Sequence, residues 1–137
     1  MLRAETRSRA RALQLLYAWE LQGRPALDHV ACGVARLIGP EPKVFDAAEL
    51  RASGVVRGLA ALDRLVGEAA EHWRLERIGL VERNILRLGI LELQEGQVPP
   101  KTAIDEAVTL AHWFGGARTP GFVNGVLDRI ARTLGRL

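Results

Sequence analysis

The chain has 137 residues, 48% of them hydrophobic and 26% charged, with a formal net charge of +3 at pH 7. This size and composition are typical of one soluble domain, here residues 1–137, that buries its own core. The longest uncharged run has eleven residues, too few for a membrane span, which needs about 20. The first residues lack the apolar core of a signal peptide, so we expect a cytoplasmic protein without membrane contact.

Positive charge is concentrated at the two ends of the sequence. Residues 1–24 carry five Arg against two Glu, and residues 118–137 carry four Arg against one Asp, so each segment has a net charge of +3. Residues 25–117 have a net charge of −3. Seventeen of the 19 basic residues are Arg, which binds phosphate through two parallel hydrogen bonds. A genome that favours Arg codons would explain the excess of Arg equally well, but it would not explain the clustering.

The first predicted helix, 4–21, has two different faces. Leu13, Leu16 and Tyr17 repeat at helical spacing and Trp19 extends this apolar side. Basic residues recur every four positions on roughly the opposite side: Arg3, Arg7 and Arg11. This helix is therefore predicted to place one face in the core and to present a cationic face.

The remaining sequence also favours helices. Asp46 is predicted to cap the third of them, which is long, and a short turn is expected within 72–77. The predicted helices after the first are 26–38, about 47–71, 80–95, 101–114 and about 120 to the end. No run alternates apolar and polar residues long enough for a strand. The predicted fold is all-α, a compact bundle of six or seven helices.

Motifs for catalysis or metal binding are absent from the sequence. His29, His72 and His112 are far apart, and Cys32 is the only cysteine. Glu92 lies among leucines, where a carboxylate satisfied by a neighbour is more common than a catalytic one. We therefore expect neither an enzyme nor a bound metal or cofactor.

A Gly/Pro loop before the last helix is the best candidate for ligand binding. Thr119 is predicted to cap that helix and Pro120 to take its first position, so that free backbone N–H groups face an anion. Arg118 adds a positive charge in the same loop. Phe122 has two interpretations: it stacks on an unpaired base, as in many RNA-binding proteins, or it is part of the core.

Four segments resemble the NusB family of transcription antitermination factors. They are RARALQLLYAWEL (9–21), VERNILRLGILEL (81–93), VPPKTAIDEAVTLAHWFGG (98–116) and FVNGVLDRIAR (122–132). The resemblance implies a helical adaptor that binds the boxA element of nascent ribosomal RNA together with the ribosomal protein NusE. In such a complex RNA polymerase reads through terminators. Residues 24–70 match only in helical character.

The resemblance also implies two groups of site residues. RNA would be bound by the N-terminal basic segment and by the loop before the last helix. The residues are Arg7, Arg9, Arg11, Arg87, Arg118 and Phe122, together with Arg3, which belongs to the cationic face of the first helix. NusE would be bound through Tyr17, Glu76 and Glu82. Charge reversal at Glu82 would then weaken NusE binding and leave the binding of RNA alone intact.

The sequence departs from the family in the loop itself. The family commonly has GGEDSPKFVNG, whereas this chain has GGARTPGFVNG, without the two acids and with Gly121 in place of a lysine. The resemblance therefore implies RNA binding but does not fix the base preference. Two alternatives remain open, a protein-only helical scaffold or homodimer and a NusB-like module of a ribosomal RNA methyltransferase.

Overall fold

The computed structural model describes residues 3–38, 41–70 and 77–137. In these three ranges the chain forms seven α-helices and no strand, so the all-α prediction is confirmed. The helices are α1 (Ala4–Leu21), α2 (Leu27–Ile38), α3 (Pro42–Arg57), α4 (Leu59–Ala69), α5 (Leu80–Glu95), α6 (Pro100–Phe114) and α7 (Thr119–Thr133).

The first compact unit ends at Arg57 and contains α1, α2 and α3. These three helices pack against one another. The inner side of α1 buries Leu13, Leu16 and Trp19, as its spacing predicts. The indole Nε1 of Trp19 donates a hydrogen bond of 2.8 Å to the carbonyl oxygen of Pro25, which fixes the turn that follows α1.

The prediction of one long helix over 47–71, capped by Asp46, is wrong. The chain forms two helices there, α3 and α4, separated by Gly58 at φ −103° and ψ 18°. Glycine is a poor helix former, so a break at this residue costs little. Helix α3 also begins earlier than predicted, at Pro42. Proline already has a helical φ, and the N–H groups of the first helical turn have no partner within the helix. Asp46 consequently lies inside α3.

The second compact unit begins at Gly58 and contains α4 to α7. Its central helix is α5, which packs against the other three and buries apolar residues on several sides: Ile85, Leu86, Ile90 and Leu93. The bounds of α5 are those predicted. It ends at Gly96, whose φ of 67° is left-handed and favours glycine.

Arg87 lies in the middle of α5 and belongs to the core of this unit. It is only 1% exposed. Its Nε and Nη2 donate to the two carboxylate oxygens of Asp63 at 2.7 and 3.0 Å, and its Nη1 donates to Oδ1 of Asn84 at 2.9 Å. A buried guanidinium is tolerated because it is paired and hydrogen bonded. The predicted contact between Arg87 and RNA is therefore wrong.

Asp63→Ala should destabilise the protein because it leaves the Arg87 charge buried without its counterion. We expect a loss of about 3 kcal/mol in the free energy of unfolding, the lower end of the range for a broken buried pair, because the Asp63 side chain is 20% exposed. Urea unfolding measures the loss. The matched control is Asp128→Ala, which removes the exposed pair with Arg132 and should cost less than about 0.5 kcal/mol. Equal losses would contradict the role given to the Asp63–Arg87 pair.

Candidate nucleic-acid interface

The predicted cationic face of α1 is present in the structure. Arg3 immediately precedes the helix and is exposed, while Arg7 and Arg11 are half-buried. Arg7 pairs with the exposed Glu41 at 3.0 Å, and Arg11 donates to the side chain of Gln14 at 3.0 Å. The pair of Arg7 with Glu41 is solvent-exposed, and such a pair contributes little to stability. A phosphate group could therefore replace the carboxylate at small cost.

Arg9 does not belong to this face. It is 6% exposed, which contradicts its predicted role in RNA binding. Helix geometry explains the error, since a residue two positions from Arg7 and two from Arg11 points to about the opposite side of the helix. The spacing in the sequence already contained this information.

A groove of about 340 Å³ lies in the second unit, where the loop before α7 meets the beginning of α5. It is lined by Arg77, Ile78, Gly79, Glu82, Arg118, Thr119 and Phe122. Both arginines are exposed, whereas Phe122 and Glu82 are half-buried. Two residues predicted to bind RNA thus share one groove with a residue predicted to bind the protein partner. Arg77 was missed because no motif marks it in the sequence.

Partial exposure of Phe122 is compatible with both interpretations of its role. The residue lies in the first turn of α7 and at the wall of the groove. Val123 and Val126, which follow it, are buried in the core. One edge of the ring can therefore support the helix while another meets a ligand.

Thr119 does not have the capping role that the sequence predicts. It is the first residue of α7, Arg118 precedes it, and no side chain caps the helix. The Thr119 hydroxyl instead accepts a hydrogen bond from the N–H of Gly116 and donates one to Oε1 of Glu82, each at 3.0 Å. The loop is thus connected to α5 by the hydrogen bond between Thr119 and Glu82, which no local sequence rule reveals.

The backbone of the loop packs closely around Thr119. A Cβ added to Gly115 would lie 2.6 Å from the Thr119 side chain and 2.8 Å from the carbonyl oxygen of Ala111. Only glycine fits here, because real Cβ atoms do not approach other atoms so closely. At Gly121, in contrast, a Cβ would meet nothing within 4 Å. The loop therefore has a closely packed part and an open part.

The residues predicted to bind a protein partner lie in both units. Tyr17 is 40% exposed on α1, and Leu21, one turn later, is also exposed. Exposure of Tyr17 contradicts its predicted place in the apolar repeat and leaves it available to a partner. Glu82 lies in the first turn of α5. Glu76 lies outside the described residues.

Two further aromatic residues are exposed at the end of α6, and sequence reasoning did not single them out. Trp113 is 45% exposed and packs edge-to-face with Phe114, with their ring centroids 6.5 Å apart. They directly precede the glycines of the loop. Both residues lie in the uncharged run 107–117. In the sequence, this run served only to exclude a membrane span.

Metal-binding clusters and membrane-spanning helices are not found among the described residues. No group of three or more His, Cys, Asp or Glu in this part of the chain could hold a metal ion. His72 lies outside that part, and Cys32 is an exposed free thiol. None of the described helices is long and apolar enough to cross a membrane.

Comparison with known proteins agrees with this architecture. The model of the NusB family matches residues 6–132. A transcription antitermination protein NusB from Sorangium cellulosum is 43% identical over 136 residues, which is 98% of this chain and 96% of that protein. One from Solibacter usitatus is 39% identical over 133 residues, 93% of this chain and 88% of that protein.

Solved structures show the same fold. A crystal form of T. maritima NusB has a TM-score of 0.84 at 30% identity, over 96% of this chain and 93% of that one. The complex of the antitermination factors NusB and NusE with dsRNA contains a chain with a TM-score of 0.81 at 28% identity. The match covers 97% of this chain and 99% of that one. The chain belongs to the NusB family.

Phe122→Ala distinguishes the two roles of this ring. If the ring stacks on a base, RNA affinity should fall by about 1–3 kcal/mol while thermal stability changes little. If the ring acts mainly as core, the free energy of unfolding should fall by about 3–5 kcal/mol. Because the ring is half-buried, we expect the loss of RNA affinity given above. We also expect a loss in the free energy of unfolding that is smaller than for a core residue. Thermal melting and RNA titration of the same variant measure both quantities, and normal affinity of the folded fraction would exclude stacking.

Proposed function

We propose that this protein is a transcription antitermination factor that binds boxA RNA of nascent ribosomal transcripts together with the ribosomal protein NusE. The observation that carries the proposal is the groove in which Arg77, Arg118 and Phe122 meet in a chain of the NusB family. The protein acts in the antitermination complex of RNA polymerase as a cytoplasmic adaptor and performs no catalysis itself.

Phosphate contacts in this proposal come from both ends of the sequence. Arg3, Arg7 and Arg11 present guanidinium groups along one side of α1, and Arg118 presents another beside the groove. Each phosphate that they neutralise releases counterions, which provides affinity for any RNA sequence. These arginines position the RNA and do not select its bases.

Base contacts would come from the aromatic residue of the groove. The half-buried ring of Phe122 offers a surface for an unstacked base, and single-stranded RNA has such bases available. A ring held by a helix loses little conformational freedom when a base stacks on it. The preferred RNA is therefore single-stranded at this point.

Protein contacts would come from Tyr17 on α1 and from Glu82 on α5. The exposed Tyr17 and Leu21 form an apolar site for a partner side chain. The carboxylate of Glu82 would attract a basic ribosomal protein and increase the rate of association. A homodimer could use the same apolar residues, so it competes with NusE in this proposal.

Titration of a boxA RNA, with and without purified NusE, tests the proposal directly. Fluorescence anisotropy should show RNA binding that NusE strengthens and that weakens steeply as salt rises. A scrambled RNA of equal length is the control for base preference. Absence of RNA binding at low salt, together with self-association that is insensitive to salt, would instead support a protein-only scaffold or homodimer.

The double variant Arg7→Ala/Arg11→Ala should bind both boxA and scrambled RNA more weakly. The dependence of log affinity on log salt should become shallower by about 0.7 for each phosphate that the variant no longer neutralises. Stability should hardly change, because the pair of Arg7 with Glu41 is exposed. The control with the same net charge is Arg57→Ala/Arg64→Ala, two basic residues on the surfaces of α3 and α4. Equal affinities of both double variants would exclude a specific role for α1.

Gly121→Lys should increase RNA affinity. The position is exposed and open, so a lysine fits and adds one phosphate contact, which steepens the salt dependence by about 0.7. The control is Gly67→Lys on α4, which is equally open and exposed. RNA titrations at several salt concentrations compare the two variants. If both raise affinity equally, net charge and not the loop is responsible.

A further inference from the structure

We propose that Glu82 is a positioning residue for RNA binding, which holds the loop before α7 through Thr119 and thereby couples RNA binding to binding of the protein partner. The inference rests on the proposed function and adds a role that the sequence did not suggest for this carboxylate. It replaces the expectation that Glu82 affects the partner alone.

The contacts form one continuous chain from α5 to the loop. Oε1 of Glu82 accepts from the hydroxyl of Thr119, and that hydroxyl accepts from the N–H of Gly116, each at 3.0 Å. Thr119 is buried, so water competes poorly for these bonds. A hydrogen bond to an ionised carboxylate is about twice as strong as one between neutral groups.

The backbone on both sides leaves room for this chain of hydrogen bonds. The Glu82 carboxylate lies directly against Gly79, where a Cβ would overlap its Oε2. The Thr119 side chain lies against Gly115, where a Cβ would be 2.6 Å away. At Gly115 a Cβ would also meet the carbonyl oxygen of Ala111, so another residue would disturb the backbone, whereas at Gly79 it would displace only the end of the Glu82 side chain.

The same contact fixes the residues that would meet RNA. Arg118 directly precedes Thr119, and Phe122 follows it within the first turn of α7. When Thr119 is held against α5, the guanidinium and the ring keep their places at the groove. A loop ordered before binding does not lose that conformational freedom on binding, so its affinity for RNA is higher.

RNA binding and partner binding are coupled because the carboxylate of Glu82 has two oxygens and lines the groove. Oε1 binds Thr119, and the half-buried carboxylate lines the groove, where a basic group of a partner can reach it. A partner that immobilises the carboxylate also immobilises the loop, and RNA then binds a loop that is already ordered. The same factor must apply in the opposite direction, from RNA to the partner.

The test compares Thr119→Val, Thr119→Ser and Glu82→Ala in the full-length protein with a boxA RNA. Valine has the shape of threonine without its hydroxyl, so we expect RNA affinity to fall about tenfold, as for the loss of a charge-assisted hydrogen bond. Serine keeps the hydroxyl and should retain most of the affinity. Glu82→Ala removes the acceptor from the other side and should cause a similar loss even if Thr119→Val folds poorly.

Three further readouts separate positioning from a general structural effect. The double variant Glu82→Ala/Thr119→Val should lose no more RNA affinity than Thr119→Val alone, because the bond that Glu82→Ala removes is already absent from Thr119→Val. Exchange of the Gly116 amide hydrogen should become faster in each. The gain in RNA affinity on saturation with NusE should shrink. Thr133→Val, at the other end of α7, removes a hydroxyl that donates within its own helix and is the matched control.

Each outcome has one meaning. If the unaltered protein does not bind boxA RNA, the proposed function fails. If it binds, but Thr119→Val and Glu82→Ala keep full affinity, the positioning role is overturned and the proposed function survives. Losses that multiply in the double variant would show that the two residues act independently, which also overturns the inference.

Discussion

The position of α5 determines where the candidate site residues of the second unit lie. This helix packs against α4, α6 and α7, and its register is fixed by the bidentate pair of Arg87 with Asp63 at 2.7 and 3.0 Å. A shift of α5 by one residue would turn the buried guanidinium away from its carboxylate, at a cost of several kcal/mol. The same register places Glu82, about one and a half turns earlier, beside Thr119.

Arginine has two separate uses in this chain, and its surroundings decide between them. Arg87 is buried because Asp63 and Asn84 satisfy its donors, and Arg9 is buried on the inner side of the basic segment. Arg3 and Arg118 are exposed and remain available to phosphate. A count of arginines thus overestimates the cationic surface.

Periodicity in the sequence was sufficient to predict most helices, because burial of one face repeats with the pitch of the helix. The bounds of α1 and α5 match, and those of α6 differ by one residue. The break at Gly58 was missed because a glycine within an apolar repeat is compatible with either continuation or interruption. The burial of Arg87 and the contact of Thr119 with Glu82 depend on residues 24 and 37 positions away, which no local pattern contains.

The loop GGARTPG differs from the common family loop in charge, and its contacts show which differences the fold can accept. Thr119 and Gly115 are constrained by hydrogen bonding and packing, whereas Arg118 and Gly121 are exposed, so packing does not restrict which residue type they are. The two acids of the family loop are absent, but α5 supplies the carboxylate of Glu82 to the groove. Negative charge at the groove therefore comes from a packed helix and is held in place by the hydrogen bond to Thr119. A carboxylate held in this way accepts hydrogen bonds, so the groove favours a ligand group that donates one at this point.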